Sequence, residues 1–196
     1  RGQGESYYQK YNEQQNQQIK YNGNWSEGTY NGQGVLYNAE GTEVIDGIFK
    51  NGKITQPNNE KYTILKDKSG AKTKDNFLTP ECVFAVQNID TKDITIIYKN
   101  SNIFCGQEGK NKKLTGVLQN ENGNWYKGDL NFNGQRDGKG ITYRTDGTKC
   151  DGDYTNGKLN MATIYEKEER EYGLNTNTNN IKQQQIEENN DSDIDK

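Results

Sequence analysis

Histidine is absent from the 196 residues. That excludes imidazole acid–base catalysis, Ser-His-Asp and Cys-His nucleophiles, and imidazole metal ligands. Cysteine is scarce: Cys82, Cys105 and Cys150 are odd in number and widely spaced. They fit neither a zinc spacing nor a small disulfide framework, which points to a reducing compartment and incidental thiols. No apolar run approaches the ~20 residues of a membrane-spanning helix, and no signal-peptide core is present. Aliphatics are too few for one thick core: the hydrophobic fraction is 29% and the mean hydropathy −1.23. Excess positive charge is missing too, with 25 Lys and Arg against 28 Asp and Glu, net −3. Residues 166–196 hold Glu166, Glu168, Glu169, Glu171, Glu187, Glu188, Asp191, Asp193 and Asp195 against Lys167, Arg170, Lys182 and Lys196. The remainder is only slightly basic, so a nucleic-acid partner is not expected.

What the chain does have is 22 Gly, 13 Tyr, 5 Phe and 2 Trp, with 27 Asn and 15 Gln. The aromatics argue against disorder. Many Gly, many rings and few aliphatics predict a thin β-structure held by ring packing. Internal repeats give that composition a cause. Tyr21-Asn-Gly-Asn-Trp-Ser-Glu-Gly28 aligns with Ile45-Asp-Gly-Ile-Phe-Lys-Asn-Gly52 at a spacing of 24. Tyr126-Lys-Gly-Asp-Leu130 aligns with Cys150-Asp-Gly-Asp-Tyr154 at the same spacing. A second element occurs as Gly32-Gln-Gly-Val-Leu-Tyr37 and Gly138-Lys-Gly-Ile-Thr-Tyr143, with Gly116-Val-Leu118 one period earlier. Turn pairs recur at Glu40-Gly41, Asn122-Gly123 and Asp146-Gly147.

Alternation in a strand puts Tyr21, Gly23 and Trp25 on one face, and Ile45, Gly47 and Phe49 likewise. Glycine leaves bare backbone over which a ring from the next hairpin can lie. Each unit is then a hairpin that cannot bury its own ring face, and stacked hairpins share one aromatic ladder. The repeat glycines of this scheme are Gly23, Gly28, Gly34, Gly47, Gly52, Gly128, Gly140, Gly152 and Gly157. The expected fold is all-β: an elongated, single-layer twisted antiparallel sheet of consecutive hairpins with a polar C-terminal tail.

The pattern Tyr-x-Gly-x-Trp/Phe, Asn-Gly-x-Gly, Asp-Gly at 23 to 24 residues resembles the MORN repeat (membrane occupation and recognition nexus). The resemblance covers 1–52 and 98–158, with clear copies from Tyr21 and Tyr126, half-copies at Ile45 and Cys150, and a weaker one near Phe104. It divides the chain into hairpins at 1–52, a divergent β segment with a Lys-rich loop at 53–97, and hairpins at 98–158. A closing strand or short helix follows at 159–174, with Ile164–Tyr172 the helical candidate, then a low-complexity acidic tail at 175–196. Arg1–Tyr7 matches the second half of a repeat, which reads as an array entered partway through, and Gln9–Gln18 reads as an exposed polar loop. Lys61–Leu65, Cys82–Val86 and Ile94–Tyr98 read as strands around a loop at Lys66–Pro80, belonging either to degenerate repeats, the favoured reading, or to an insertion that bends the array.

The main candidate partner-binding surface is the aromatic set Tyr21, Trp25, Tyr37, Phe49, Phe104, Trp125, Tyr126, Tyr143 and Tyr154. Most of these rings are expected to hold hairpins together, with the rest left on an open face. Lys66, Lys68, Lys72, Lys74, Lys110, Lys112 and Lys113 are candidates for contact with anionic lipid or an acidic partner. Gly32-Gln-Gly34 and Gly138-Lys-Gly140 lack phosphate-loop spacing. Asp151-Gly-Asp153 lacks the twelfth-position Glu of a calcium loop. No catalytic residues, metal, cofactor or small-molecule substrate are assigned.

The resemblance implies a non-enzymatic scaffold bridging protein subunits of a large intracellular assembly, with a ciliary or axonemal structure such as a radial spoke favoured. The Asn and Gln richness fits a protist genome. The alternatives are a peripheral-membrane module binding anionic phospholipid, and the regulatory MORN portion of a larger lipid kinase or methyltransferase.

Overall fold

A computed structural model of the chain describes residues 1–8, 18–165 and 181–184. Among them the architecture is all-β without a helix, built of two antiparallel sheets of consecutive hairpins that do not close into a barrel. The first sheet holds β1 (Gly2–Tyr7), β2 (Ile19–Ser26), β3 (Thr29–Tyr37), β4 (Glu43–Lys50) and β5 (Lys53–Pro57), in chain order. The second begins with β6 (Tyr62–Asp67), β7 (Gly70–Ala71), β8 (Cys82–Asn88) and β9 (Ile94–Tyr98). It continues with β10 (Ile103–Glu108), β11 (Lys113–Gln119), β12 (Trp125–Asn131), β13 (Arg136–Tyr143), β14 (Lys149–Thr155), β15 (Lys158–Tyr165) and β16 (Ile181–Gln184). Its order follows the chain except at one edge, where β7 lies outside β6 and β8 pairs directly with β6. Each sheet is a single twisted layer of hairpins.

The sheet boundary falls between Pro57 and Tyr62, inside the run read as divergent repeats. Residues 62–98 pair as strands of the same sheet as the later hairpins. Of the two readings for the closing segment, strand or short helix, the described part is a strand: Ile164 and Tyr165 end β15, a β-branched and aromatic stretch paired to Lys149 and Cys150. The rest of Ile164–Tyr172 lies outside the described residues, as do most of the polar loop at 9–18 and most of the tail. Within the tail, the backbone of β16 pairs with Ala162–Tyr165.

Cross-strand register turns the repeat glycines into rows. Gly4, Gly23, Gly34 and Gly47 face one another across β1 to β4. Gly106, Gly116, Gly128, Gly140 and Gly152 do so across β10 to β14, with Ala162 next in β15. Gly28, Gly52 and Gly157 have another job. They sit in two-residue turns after Glu27, Asn51 and Asn156, where both residues have positive φ. The expected pairs at Gly41, Gly123 and Gly147 form a longer loop in which each glycine N–H donates to the carbonyl three residues back.

The two sheets overlap. Tyr21, Leu36, Ile45 and Phe49 of the first pack with Tyr62, Val86 and Cys105 of the second, joined by the half-buried Ile64, Phe84 and Ile103. The opposite face of the second sheet buries Leu65, Ile94, Ile96, Phe104, Leu114, Leu118, Tyr126 and Leu130 around itself. Phe77, from the connection read as a loop, plugs that side and meets the Phe132 ring edge-on at 6.4 Å. The central strands β8 to β10 are thus covered on both faces, as expected for runs such as Cys82-Val-Phe-Ala-Val86 and Ile94-Thr-Ile-Ile97.

All three thiols are free and buried. Burial between the sheets pushes the Cys105 thiol from its ordinary 9.0 up to about 11. The unfolded thiol ionises near pH 9 and the folded one resists, so this contribution is whole below pH 9 and is lost as pH rises toward 11. We expect urea-unfolding stability to fall above pH 9 by about 1.4 kcal/mol per pH unit from this group. Cys105→Ala should make the profile between pH 9 and 10 shallower, the remaining slope coming from Cys82 and from buried tyrosines such as Tyr126 and Tyr154, which burial also raises; an unchanged slope would exclude Cys105 as a cause.

Candidate interaction surface

Tyr21 lies along its own strand over Gly23 and reaches across to Gly34, where an added Cβ would fall inside the phenol. Its hydroxyl donates to the Asn24 carbonyl at 3.1 Å. The Tyr30 ring stacks on it at 3.8 Å, while Trp25 and Phe49 meet it edge-on at 5.5 and 5.2 Å. The second sheet repeats the device. Tyr126 covers Gly128 and Gly140, and its hydroxyl donates to the Asp129 carbonyl at 3.0 Å, again three residues on. Phe104 covers Gly106 and Gly116. The covering ring therefore comes from the same strand as the first glycine of its pair, not from the next hairpin. The reason is reach: a side chain leaning along its strand spans residue i+2 and the neighbour opposite it.

These rings are core. Tyr21, Phe49, Phe104, Tyr126 and Tyr154 are buried, and Trp25 packs against the cluster that holds Tyr21 and Phe49. Burial holds the Tyr126 phenol far above its ordinary range and raises that of Tyr154 to about 12. The candidate aromatic set is therefore not one surface. Tyr37, Trp125 and Tyr143 occupy the opposite face of their strands, next to the buried Leu36, Tyr126 and Thr142.

On that outer face one register row crosses the second sheet: Gln119, Trp125, Tyr143, Lys149 and Tyr165. The Trp125 and Tyr143 rings stack at 3.9 Å with planes 7° apart. Lys149 Nζ lies 6.0 Å from the Tyr143 centroid and 5.1 Å from that of Tyr165. Trp125, Tyr143, Lys149 and Tyr165 are half-buried. In the adjoining row, Lys127 pairs with Glu40 of the first sheet at 2.6 Å. The first sheet thus covers β8 to β10 and stops beside this strip. A stacked ring pair with an adjacent cation offers a flat apolar platform and one charge, which suits a planar or acidic side chain of a partner.

Sequence reasoning named Trp125 and Tyr143 but missed Lys149 and Tyr165. The signal for Lys149 was present: it stands 24 residues after Trp125, as Cys150 does after Tyr126. Tyr165 lay in the segment read as a closing strand or short helix, and only the strand alternative places it in this row.

The lysines do not form one patch. Lys66 and Lys68 end at the β6–β7 turn, whereas Lys110, Lys112 and Lys113 sit at the β10–β11 turn, at the other end of the strands by register. Lys66 Nζ donates to the Thr79 carbonyl, Lys72 pairs with Asp67 at 3.3 Å, and Lys113 pairs with Asp137 at 3.4 Å. Lys68, Lys74, Lys110 and Lys112 are exposed. Among the described residues no cluster of three or more Cys, Asp or Glu could hold a metal ion, and no helix is long and apolar enough to cross a membrane.

No protein-family model matches the chain, and no match is found among curated proteins.

Proposed function

We propose that the chain is a non-enzymatic scaffold of MORN-type repeats, bridging protein subunits of a large intracellular assembly, with the ciliary axoneme as the favoured setting. The observation that carries this reading is the outward Trp125–Tyr143 stack with Lys149 beside it. It lies on a layer whose ring-over-glycine packing is complete without it. The recurrence of one local unit, Tyr21 over Gly23 and Gly34 and Tyr126 over Gly128 and Gly140, supports the resemblance to that repeat family. The separation of the lysine groups weighs against anionic phospholipid as the principal partner.

The test replaces Trp125 and Tyr143 together by Ala. Loss of half-exposed rings should cost at most about 2 kcal/mol in urea unfolding. The wild-type chain is expected to pellet with salt-stripped ciliary axonemes and the double variant to remain in the supernatant. Equal pelleting of the two would remove this surface from the proposal. Flotation of the wild type with phosphatidylserine vesicles, without axonemal pelleting, would replace the scaffold reading with the membrane one.

A further inference from the structure

Among the described residues of the second sheet, three lysines are half-buried: Lys66, Lys113 and Lys149. Lys66 donates to the Thr79 carbonyl at 3.0 Å, and Lys113 pairs with Asp137 at 3.4 Å. Lys149 is different. Its Nζ stands between Tyr143 of β13 and Tyr165 of β15, its register neighbours, 6.0 and 5.1 Å from the ring centroids. Among the described residues no oxygen receives it. Asp151, two residues on along the same face, stands in the adjoining row opposite Ile141 and Thr163 and does not pair with it.

The same face shows how a covering layer answers a lysine. Lys127 lies on this face in the adjoining row, and where the first sheet stops, its β3–β4 loop brings Glu40 to Lys127 at 2.6 Å. The loop is shaped to present that side chain: Asn38 Oδ1 accepts the N–H groups of Glu40 and Thr42, both at 3.0 Å. Beyond the loop, among the described residues, Lys149 has no counterpart to Glu40.

A polypeptide docked on the Trp125–Tyr143 stack removes the remaining water from Lys149. Desolvating an ammonium without an anion is costly, and ring contacts offset only part of that cost. A neutral or cationic occupant therefore fits poorly, whereas a carboxylate forms a charge-assisted hydrogen bond. We infer that Lys149 sets the specificity of the outer row, and that its occupant is an aspartate or glutamate side chain on a loop of the partner polypeptide. The carboxylate meets Lys149 beside Tyr143 and Tyr165 as Glu40 meets Lys127. This rests on the reading of the outer row as a partner-binding surface and names the chemistry that the surface takes.

The probe is a capped peptide Gly-Glu-Phe-Glu-Gly, titrated into the full chain at low ionic strength, with Gly-Gln-Phe-Gln-Gly as its uncharged twin. NMR shifts should saturate and concentrate at Trp125, Tyr143, Lys149 and Tyr165. The Gln peptide should bind at least about tenfold more weakly, and Lys149→Gln should weaken the Glu peptide by as much. Lys149→Arg keeps the charge and should hold binding within about threefold. Lys53→Gln, at an exposed turn of the first sheet, should bind as wild type. Comparing the two peptides on the unaltered protein keeps the test independent of any effect of a substitution on folding. Absence of saturable binding, equal binding of the two peptides, or a loss in Lys149→Gln no larger than in Lys53→Gln would each overturn the inference. The two proposals fail separately. Axonemal pelleting with no preference for the Glu peptide removes the acidic anchor and leaves the scaffold. Lys149-dependent binding of the Glu peptide without pelleting keeps the anchor and removes the axonemal setting.

Discussion

Gly34→Val is expected to destabilise the protein by about 3 kcal/mol or more, a large fraction of the stability of a marginally stable chain. The reason is occupancy, not backbone freedom, because Gly34 is not among the residues with positive φ. Its face is filled by the Tyr21 phenol, which is fully buried beneath Tyr30, Trp25 and Phe49. A valine must evict that ring, and the ring has nowhere to go without opening the packing between the sheets. Gly140→Val should behave the same way through Tyr126. Gly2→Ala is the matched control: nothing lies within 4 Å of the added carbon, and no loss is expected. The decisive measurement is a double-mutant cycle. Tyr21→Leu is itself costly, but adding Gly34→Val to it should cost at least about 1 kcal/mol less than in wild type, as residues in direct contact are non-additive. Additive losses would show that the ring does not set the glycine requirement.

That coupling was half legible in the sequence. The spacing of 24 located the glycines and the face they share with Tyr21 and Phe49, because strand alternation is rigid arithmetic. The ring's strand of origin was misassigned, since alternation fixes a side chain's face but not its lean. The same arithmetic could have split the aromatic set: Trp125 and Tyr126 are adjacent and must face opposite ways, so they never formed one surface. The continuous apolar runs of β8 and β9 announced burial on both faces, but nothing local said that the covering layer would be the first five strands. That depends on where the ladder breaks, and Pro57-Asn58-Asn59 reads as an ordinary turn. The outer row of Trp125, Tyr143, Lys149 and Tyr165 required cross-strand register, which one repeat read alone does not contain.

The break itself should be the protein's weakest joint, and Asp46→Ala combined with Thr95→Val is expected to uncouple the two sheets. β5 ends at Pro57, after which one backbone hydrogen bond and a set of polar side chains hold the chain to β4. Asp46, buried, accepts from Gln33 Nε2 at 2.9 Å and Asn58 Nδ2 at 3.2 Å, and pairs with Lys61 Nζ at 3.0 Å. The Asn58 N–H donates to the Asp46 carbonyl at 2.8 Å, and Glu43 receives Lys61 at 3.2 Å and the Tyr62 hydroxyl at 2.7 Å. Thr95, buried in β9, donates its hydroxyl to the Val44 carbonyl at 2.6 Å across the sheet interface. Removing the carboxylate strands two amides and loosens a lysine that keeps Glu43, and Thr95→Val removes a buried donor; together about 3–4 kcal/mol is expected. The two tryptophans make the outcome readable, because Trp25 reports the first sheet and Trp125 the second. With either replaced by Phe, the remaining fluorophore should give coincident urea transitions in the otherwise wild-type chain. In the joint variant the Trp25 transition should move to lower urea and separate from that of Trp125, since the first sheet loses its anchorage while β6 to β15 keep theirs. Transitions that stay coincident and merely shift together would show that ring packing at Tyr21, Ile45 and Phe49, not the polar clamp, joins the sheets.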